Sequence, residues 1–213
     1  MKKIANGYYN SVYDMENGFV FKKQNNFFER YIKIFSEEYP IHGVFAIFTT
    51  LKIIYNMPKE HLSDLEIKIK NGTYTGSLEI LANPKFEHCG YIQDKVTTIK
   101  DYINTHSYKE NCLIIDRFTE NVIECWKNQI CEKIYNFTVN NGVAKNGNVV
   151  LIDFNESSQN KADAVKIIES KKWLKSLSFG HLDVQLQEYY KNHMDKALTV
   201  QTLNENWGIS INH

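Results

Sequence analysis

The chain carries no surplus of charge of either sign. Lys plus Arg and Asp plus Glu each number 25 among 213 residues, so the formal net charge is zero. Binding to nucleic-acid backbones or anionic membranes draws on a basic excess. Here the longest basic clusters are pairs such as Lys22-Lys23 and Lys171-Lys172, so neither partner is expected. Cysteine is sparse as well: Cys89, Cys112, Cys125 and Cys131 include no Cys-x-x-Cys pair. A structural zinc site needs four convergent ligands, usually from close pairs. Reduced, mostly buried thiols are the expectation instead. Long apolar runs are missing too. The most apolar stretch, 41–55, contains His42, Thr49, Thr50 and Lys52 and falls short of the ~20 residues a bilayer demands. Met1-Lys2-Lys3 leads into no apolar segment of the secretory-signal kind. A cytoplasmic location is expected, with export into a host left open. The seven histidines form no His-x-x-x-His pair, and no Gly-x-Ser-x-Gly marks a serine hydrolase.

What is present is a hydrophobic fraction of 43%, enough for a core. Residues 3–13 and 18–23 are rich in β-formers around the turn Glu16-Asn17-Gly18, which predicts two strands. Helical spacing predicts a helix over 27–35, interrupted by Pro40, and a second over 41–56. Residues 60–75 are polar and ambiguous, whereas 77–82 and 89–96 predict a strand pair around Asn83-Pro84. From residue 97 the texture turns helical, with helices expected over 98–106, 115–131, 161–177, 184–196 and 199–206. One hairpin interrupts them, 142–144 with 149–154, around Lys145-Asn146-Gly147-Asn148. Asn-Gly between apolar runs is a strong hairpin signal.

That hairpin carries the chemistry. Asn140 precedes it, and the apolar strand Val149-Val150-Leu151-Ile152 delivers Asp153 to the sheet edge. The two ends of a hairpin lie side by side, so an amide oxygen and a carboxylate are expected together there. Magnesium takes such hard oxygen ligands, one or two from protein and the rest from phosphates and water. An ordinary surface hairpin ending in an Asp is the plain alternative.

Val149-Val-Leu-Ile-Asp153-Phe154 resembles the strand leading into the Asp-Phe-Gly motif of the protein kinase and kinase-like superfamily, with Asn155 in place of the glycine. Asn140 stands where the catalytic-loop asparagine would be. The resemblance continues at the N-terminus. Ala5-Asn6-Gly7-Tyr8-Tyr9-Asn10-Ser11-Val12 is similar to the glycine-rich loop, with Gly7 retained and Ala5 and Asn10 at the other glycine positions. Lys22 matches the strand lysine that contacts phosphates, and alternation puts Lys23 on the opposite face. Gly90-Tyr-Ile-Gln93-Asp-Lys95-Val96 looks like the inter-lobe hinge, and Glu29, Glu37 and Glu38 are alternatives for the acid that pairs with the lysine.

The resemblance implies an α+β, two-lobed protein-kinase-like fold. Residues 1–97 would form a small antiparallel-sheet N-lobe, and 98–213 a mainly helical C-lobe holding the catalytic-loop-like hairpin 140–156. It implies ATP and Mg as cofactors, with Gly7, Asn10, Lys22, Gln93 and Lys95 around the nucleotide. Asp153 and Asn140 would hold the metal, and Lys22, Asn140 and Asp153 would be the catalytic set. The departure is the base: five residues before Asn140 stands Tyr135, not Asp. A tyrosine of ordinary pKa about 10 is a poor base at neutral pH. Two expectations follow, a pseudokinase that binds nucleotide and engages a protein partner, or an atypical ATP-dependent phosphotransferase using Glu132 or Glu156.

Overall fold

The computed structural model describes residues 1–7, 9–55 and 62–209. Tyr8, Asn56 and residues 60–61, all taken up in the sequence reading, lie outside them. The described chain is α+β and clusters into two compact units, 1–62 with 84–95 and 63–83 with 96–213. The division at residue 97 expected from sequence differs in one segment, 63–83, which belongs to the second unit. Its Ile80 and Leu81 are buried in a short 3-10 turn that packs on elements of that unit.

In the first unit, five antiparallel strands run in the order β1-β2-β3-β5-β4: β1 Lys2–Asn6, β2 Asn10–Asp14, β3 Phe19–Gln24, β4 Lys85–Glu87 and β5 Gly90–Asp94. The single strand expected over 3–13 is two, because Gly7 N–H donates to the Asn10 carbonyl at 2.8 Å and reverses the chain. Lys22 lies opposite Val12 on one side and Tyr91 on the other. β5 begins at a glycine because nothing larger fits: a Cβ on Gly90 would sit 2.0 Å from the Lys22 carbonyl oxygen. Gly90→Ala is therefore expected to destabilise the protein by about 2 kcal/mol or more, the scale of overpacking against an unyielding backbone. Urea denaturation checks this; an unchanged midpoint would remove the close approach.

Two helices follow β3, α1 Phe27–His42 and α2 Ala46–Tyr55. Asn26 caps α1 and Glu29 returns a bond to the Asn26 N–H, completing a capping box. Pro40, expected from sequence to interrupt this helix, instead sits within its last turn. There the missing N–H removes one bond near a frayed end rather than breaking the middle of a ladder.

The second unit contains α3 Asp64–Lys70, β6 Thr97–Thr98, α4 Ile99–Thr105, α5 Tyr108–Lys127, β7 Cys131–Glu132, α6 Phe137–Asn140, β8 Asn141–Val143 and β9 Val149–Leu151. β10 Ser157–Ser158, α7 Lys161–Glu169, α8 Leu177–Gly180, α9 Val184–Ala197 and α10 Val200–Asn206 complete it. Its core centres on Phe118, Trp126, Tyr135, Phe137, Trp173 and Tyr190. Several boundaries depart from the sequence pattern for local reasons. α5 starts at Tyr108 rather than 115 because Ser107 and Glu110 form a capping box, and it stops as Gln129 turns left-handed. The 161–177 helix breaks after 169, where Lys171 takes φ 47°. The strand expected over 77–82 is the 3-10 turn, followed by left-handed Ala82 and Asn83 ahead of Pro84.

Among the described residues, no helix is long and apolar enough to cross a membrane. All four cysteines are free. Cys125 and Cys131 are buried as expected, and burial pushes the Cys131 thiol up to about 12. Cys112 is half-buried and Cys89 exposed.

Candidate functional site

Short backbone and side-chain contacts assemble the polar cluster of the second unit. The hairpin forms around the expected turn, one residue early in its first strand and ending at Leu151 rather than 154: Asn141, Gly142 and Val143 pair with Leu151, Val150 and Val149, and Gly147 supplies φ 84° in the turn. Beyond β9 the chain clamps onto the end of α6, with Ile152 and Asp153 N–H both donating to the Asn140 carbonyl at 2.8 and 3.1 Å. This places Asp153 beside Asn140. On its far side the segment is pinned again, since Ser157 and Ser158 of β10 pair with Glu132 and Cys131 of β7. Phe154, fully buried, anchors the span between the two clamps.

Glu132 organises this cluster. Its carboxylate accepts from Asn140 Nδ2 at 2.8 Å, Asn141 Nδ2 at 3.4 Å and Asn136 N–H at 3.1 Å. It is buried, and burial raises its pKa to about 7 against the pull of those three donors, with the Asp153 charge adding to the rise. By holding Asn140 Nδ2, Glu132 orients that amide so that its oxygen is presented to another partner. Asp153 Oδ1, shielded from solvent, has no hydrogen-bond partner among the described residues. Glu156 is half-buried, its pKa raised by burial first and by Asp153 second, with Lys133 opposing. Asp153 thus lies within electrostatic reach of both Glu132 and Glu156 and raises the pKa of each, a repulsion that a cation at Asp153 would offset. Among the described residues, no three His, Cys, Asp or Glu side chains converge to hold an ion. Asp153 and the Asn140 amide oxygen suit a hard cation that takes its other ligands from phosphate and water.

Tyr135, five residues before Asn140, is a core residue. It is fully buried, holds φ 56°, packs on Phe118 and Trp173, and burial pushes its pKa well above 10. It cannot accept a proton at neutral pH.

The sheet of the first unit holds the other expected residues. Lys22 is buried with its ammonium 5.6 Å from the centroid of the Tyr91 ring, while Lys23 faces the other way and pairs with Glu29 at 3.0 Å. The alternation read from sequence therefore resolves the two lysines. Gly7 forms the β1–β2 turn, its carbonyl accepting from Asn25 Nδ2 at 2.8 Å, and Asn10 opens β2 opposite Gln24. Gln93 is buried across from Val20, and Lys95 is exposed with its ammonium on Asp14 at 2.6 Å, which holds that carboxyl below its ordinary range. Of the three acids offered by sequence, Glu29 bonds Lys23, Glu37 bonds Lys33 and Glu38 bonds His42. Glu66, in the 60–75 segment whose sequence is polar and ambiguous, is fully buried. Its signal was the capping box Ser63-x-x-Glu66. The bonding role of Glu132 is not foreseen from sequence; an acid directly after the apolar Ile130-Cys131 is its trace.

No protein-family model and no curated protein matches the chain. Among solved structures, a complex of Rv3197 with erythromycin from Mycobacterium tuberculosis is similar at 10% identity with a TM-score of 0.44. The match covers 96% of this chain and 57% of that one, so the chain spans little more than half its length. A likeness of that size carries no argument about fold or activity.

Proposed function

We propose that the chain is a divergent, two-lobed member of the kinase-like superfamily that binds Mg–ATP and works as a pseudokinase through a protein partner. The observation behind this reading is the backbone bond from the Asp153 N–H to the Asn140 carbonyl at 3.1 Å, which sets the two residues side by side at the hairpin end. The Asn140 amide oxygen is set by Glu132, and Asp153 Oδ1 has no hydrogen-bond partner among the described residues. By the resemblance, Gly7, Asn10, Lys22, Gln93 and Lys95 would serve the nucleotide, and Asn140 and Asp153 its magnesium. Magnesium supplies charge neutralisation of the phosphates. The chain's own groups orient and hold it. Tyr135, buried where the family's base belongs, speaks for binding without efficient transfer.

A second reading, an atypical phosphotransferase, rests on Glu156. Its half-buried carboxyl near Asp153 is shifted upward, toward the range useful to a general base. Calorimetric titration with ATP, with and without magnesium, tests the shared premise, and the expected result is binding that magnesium strengthens at least about tenfold. Equal affinity in EDTA would overturn it. ATP turnover that Glu156→Gln abolishes, with binding intact, would favour the transferase.

A further inference from the structure

The hydrogen bonds of Glu132 are shared unevenly between its two oxygens. Oε1 accepts from Asn140 Nδ2 at 2.8 Å and from the Asn136 N–H at 3.1 Å. Among the described residues, Oε2 accepts from Asn141 Nδ2 alone, at 3.4 Å. Each carboxylate oxygen has two lone pairs to offer, so Oε2 has room for a shorter bond than the one it makes.

A small cavity borders this edge. It measures about 10 Å³ and lies wholly within the second unit. Asn121 and Val122 of α5, Glu132, Tyr135, Asn141 and Leu151 are among its walls, and each of them is buried. Asn141, the partner of Oε2, lines it, whereas Asn136 and Asn140, the partners of Oε1, do not. The Oε2 edge of the carboxylate therefore faces the cavity. The Tyr135 hydroxyl is shielded from solvent and has no hydrogen-bond partner among the described residues. Its pKa is raised by burial first, then by repulsion from Cys131, Glu132, Tyr190 and Cys125. Glu132 and Cys125 both line the cavity, which sets the hydroxyl on that side of its ring.

Size and chemistry select the occupant. Roughly 10–15 Å³ is what one water requires, together with two to four polar partners. Here the Tyr135 hydroxyl, Glu132 Oε2 and the Asn121 amide supply three. A buried hydroxyl is ordinarily bonded to protein or to ordered water. A metal ion is disfavoured, because among the described residues no three His, Cys, Asp or Glu side chains converge.

We propose that this cavity is a binding site for a single internal water, which bridges the Tyr135 hydroxyl to Glu132 Oε2 and is held by the Asn121 amide. The hydroxyl donates to the water, and the water donates one hydrogen to Oε2 and the other to the Asn121 amide oxygen. The bridge gives Tyr135 a role beyond packing and completes the shell of the carboxylate that orients Asn140.

A crystal structure of the full chain, grown without ammonium or potassium salts, tests this. The expected result is one density peak about 2.7–3.2 Å from both Tyr135 Oη and Glu132 Oε2. In solution, cross-relaxation between water and the Leu151 methyls is expected with the sign of a long-lived bound water. Tyr135→Phe keeps the ring and removes the hydroxyl, and loss of both signals is expected there. A wild type without the peak, or with the hydroxyl bonded directly to a protein atom, would overturn the proposal whatever the variant does. A peak that Tyr135→Phe leaves unchanged would overturn the bridge. One that forms only when ammonium or potassium is added would assign the cavity to a cation and overturn it as well.

Discussion

Glu132→Ala is expected to destabilise the protein by on the order of 3 kcal/mol or more, because it strands buried donors at ~1–3 kcal/mol each. Those donors are Asn140 Nδ2, Asn141 Nδ2 and the Asn136 N–H, and loss of the negative charge offsets only part of that cost. Glu132→Gln separates charge from packing. The folded carboxyl titrates at about 7 against an ordinary 4.5. Between those values the folded chain holds a proton that the unfolded chain has lost, so stability falls as pH rises. Below about 4.5 both states are protonated and the contribution is whole; above about 7 both are ionised and it has gone. The wild-type stability relative to Glu132→Gln should therefore drop by on the order of 3 kcal/mol between pH 4.5 and 7. Taking the difference cancels the contribution of the raised Glu156 carboxyl, which both proteins share. Urea midpoints measured at intervals from pH 5 to 8 decide it; a flat difference would mean that the carboxyl is ionised throughout.

Asp153→Asn is expected to abolish the magnesium-dependent part of ATP stabilisation while leaving the unliganded protein as stable as before or slightly more so. The second half follows from electrostatics, since Asp153 raises the pKa of both Glu132 and Glu156 and its neutralisation relieves them. The first half follows from Oδ1, which no described residue engages. At a ligand concentration of 100 times the dissociation constant, binding stabilises the wild type by about 2.7 kcal/mol. For a chain of this size that is a rise in melting temperature of roughly 5–10 °C. In the variant the rise with Mg–ATP should fall to that seen with ATP in EDTA. A full rise in the variant would remove Asp153 from the site, and a variant that melts well below the wild type without ligand would make Asp153 a structural group.

The catalytic question turns on burial. Tyr135 stands at the spacing where a base is expected, but it serves the core and is held in a left-handed backbone conformation. An aromatic residue at positive φ costs of order 1 kcal/mol or more, offset here by its contacts with Phe118 and Trp173. Glu132 is drawn the other way, into three hydrogen bonds, so neither residue presents a free basic oxygen.

Elements whose signals are local were legible in the chain alone. The 141–151 hairpin follows from Asn146-Gly147 between apolar runs, the helices near the C-terminus from their 3.6-residue periodicity, and the opposite faces of Lys22 and Lys23 from strand alternation. The start of α5 and all of α3 were written in their capping boxes, Ser107-x-x-Glu110 and Ser63-x-x-Glu66, though apolar periodicity alone passes over them. Which acids are buried emerged with folding, because burial depends on what distant segments bring. Glu132 bonds Asn140 across the turn of α6 and pairs through β7 with β10, contacts that no spacing rule ranks above its alternatives. The cavity beside Glu132 is likewise invisible in the sequence, since Asn121 and Val122 of α5 meet Tyr135 and Leu151 around it only once the helix packs on β9. Periodicity reports which residues share a face; the folded chain decides what that face meets.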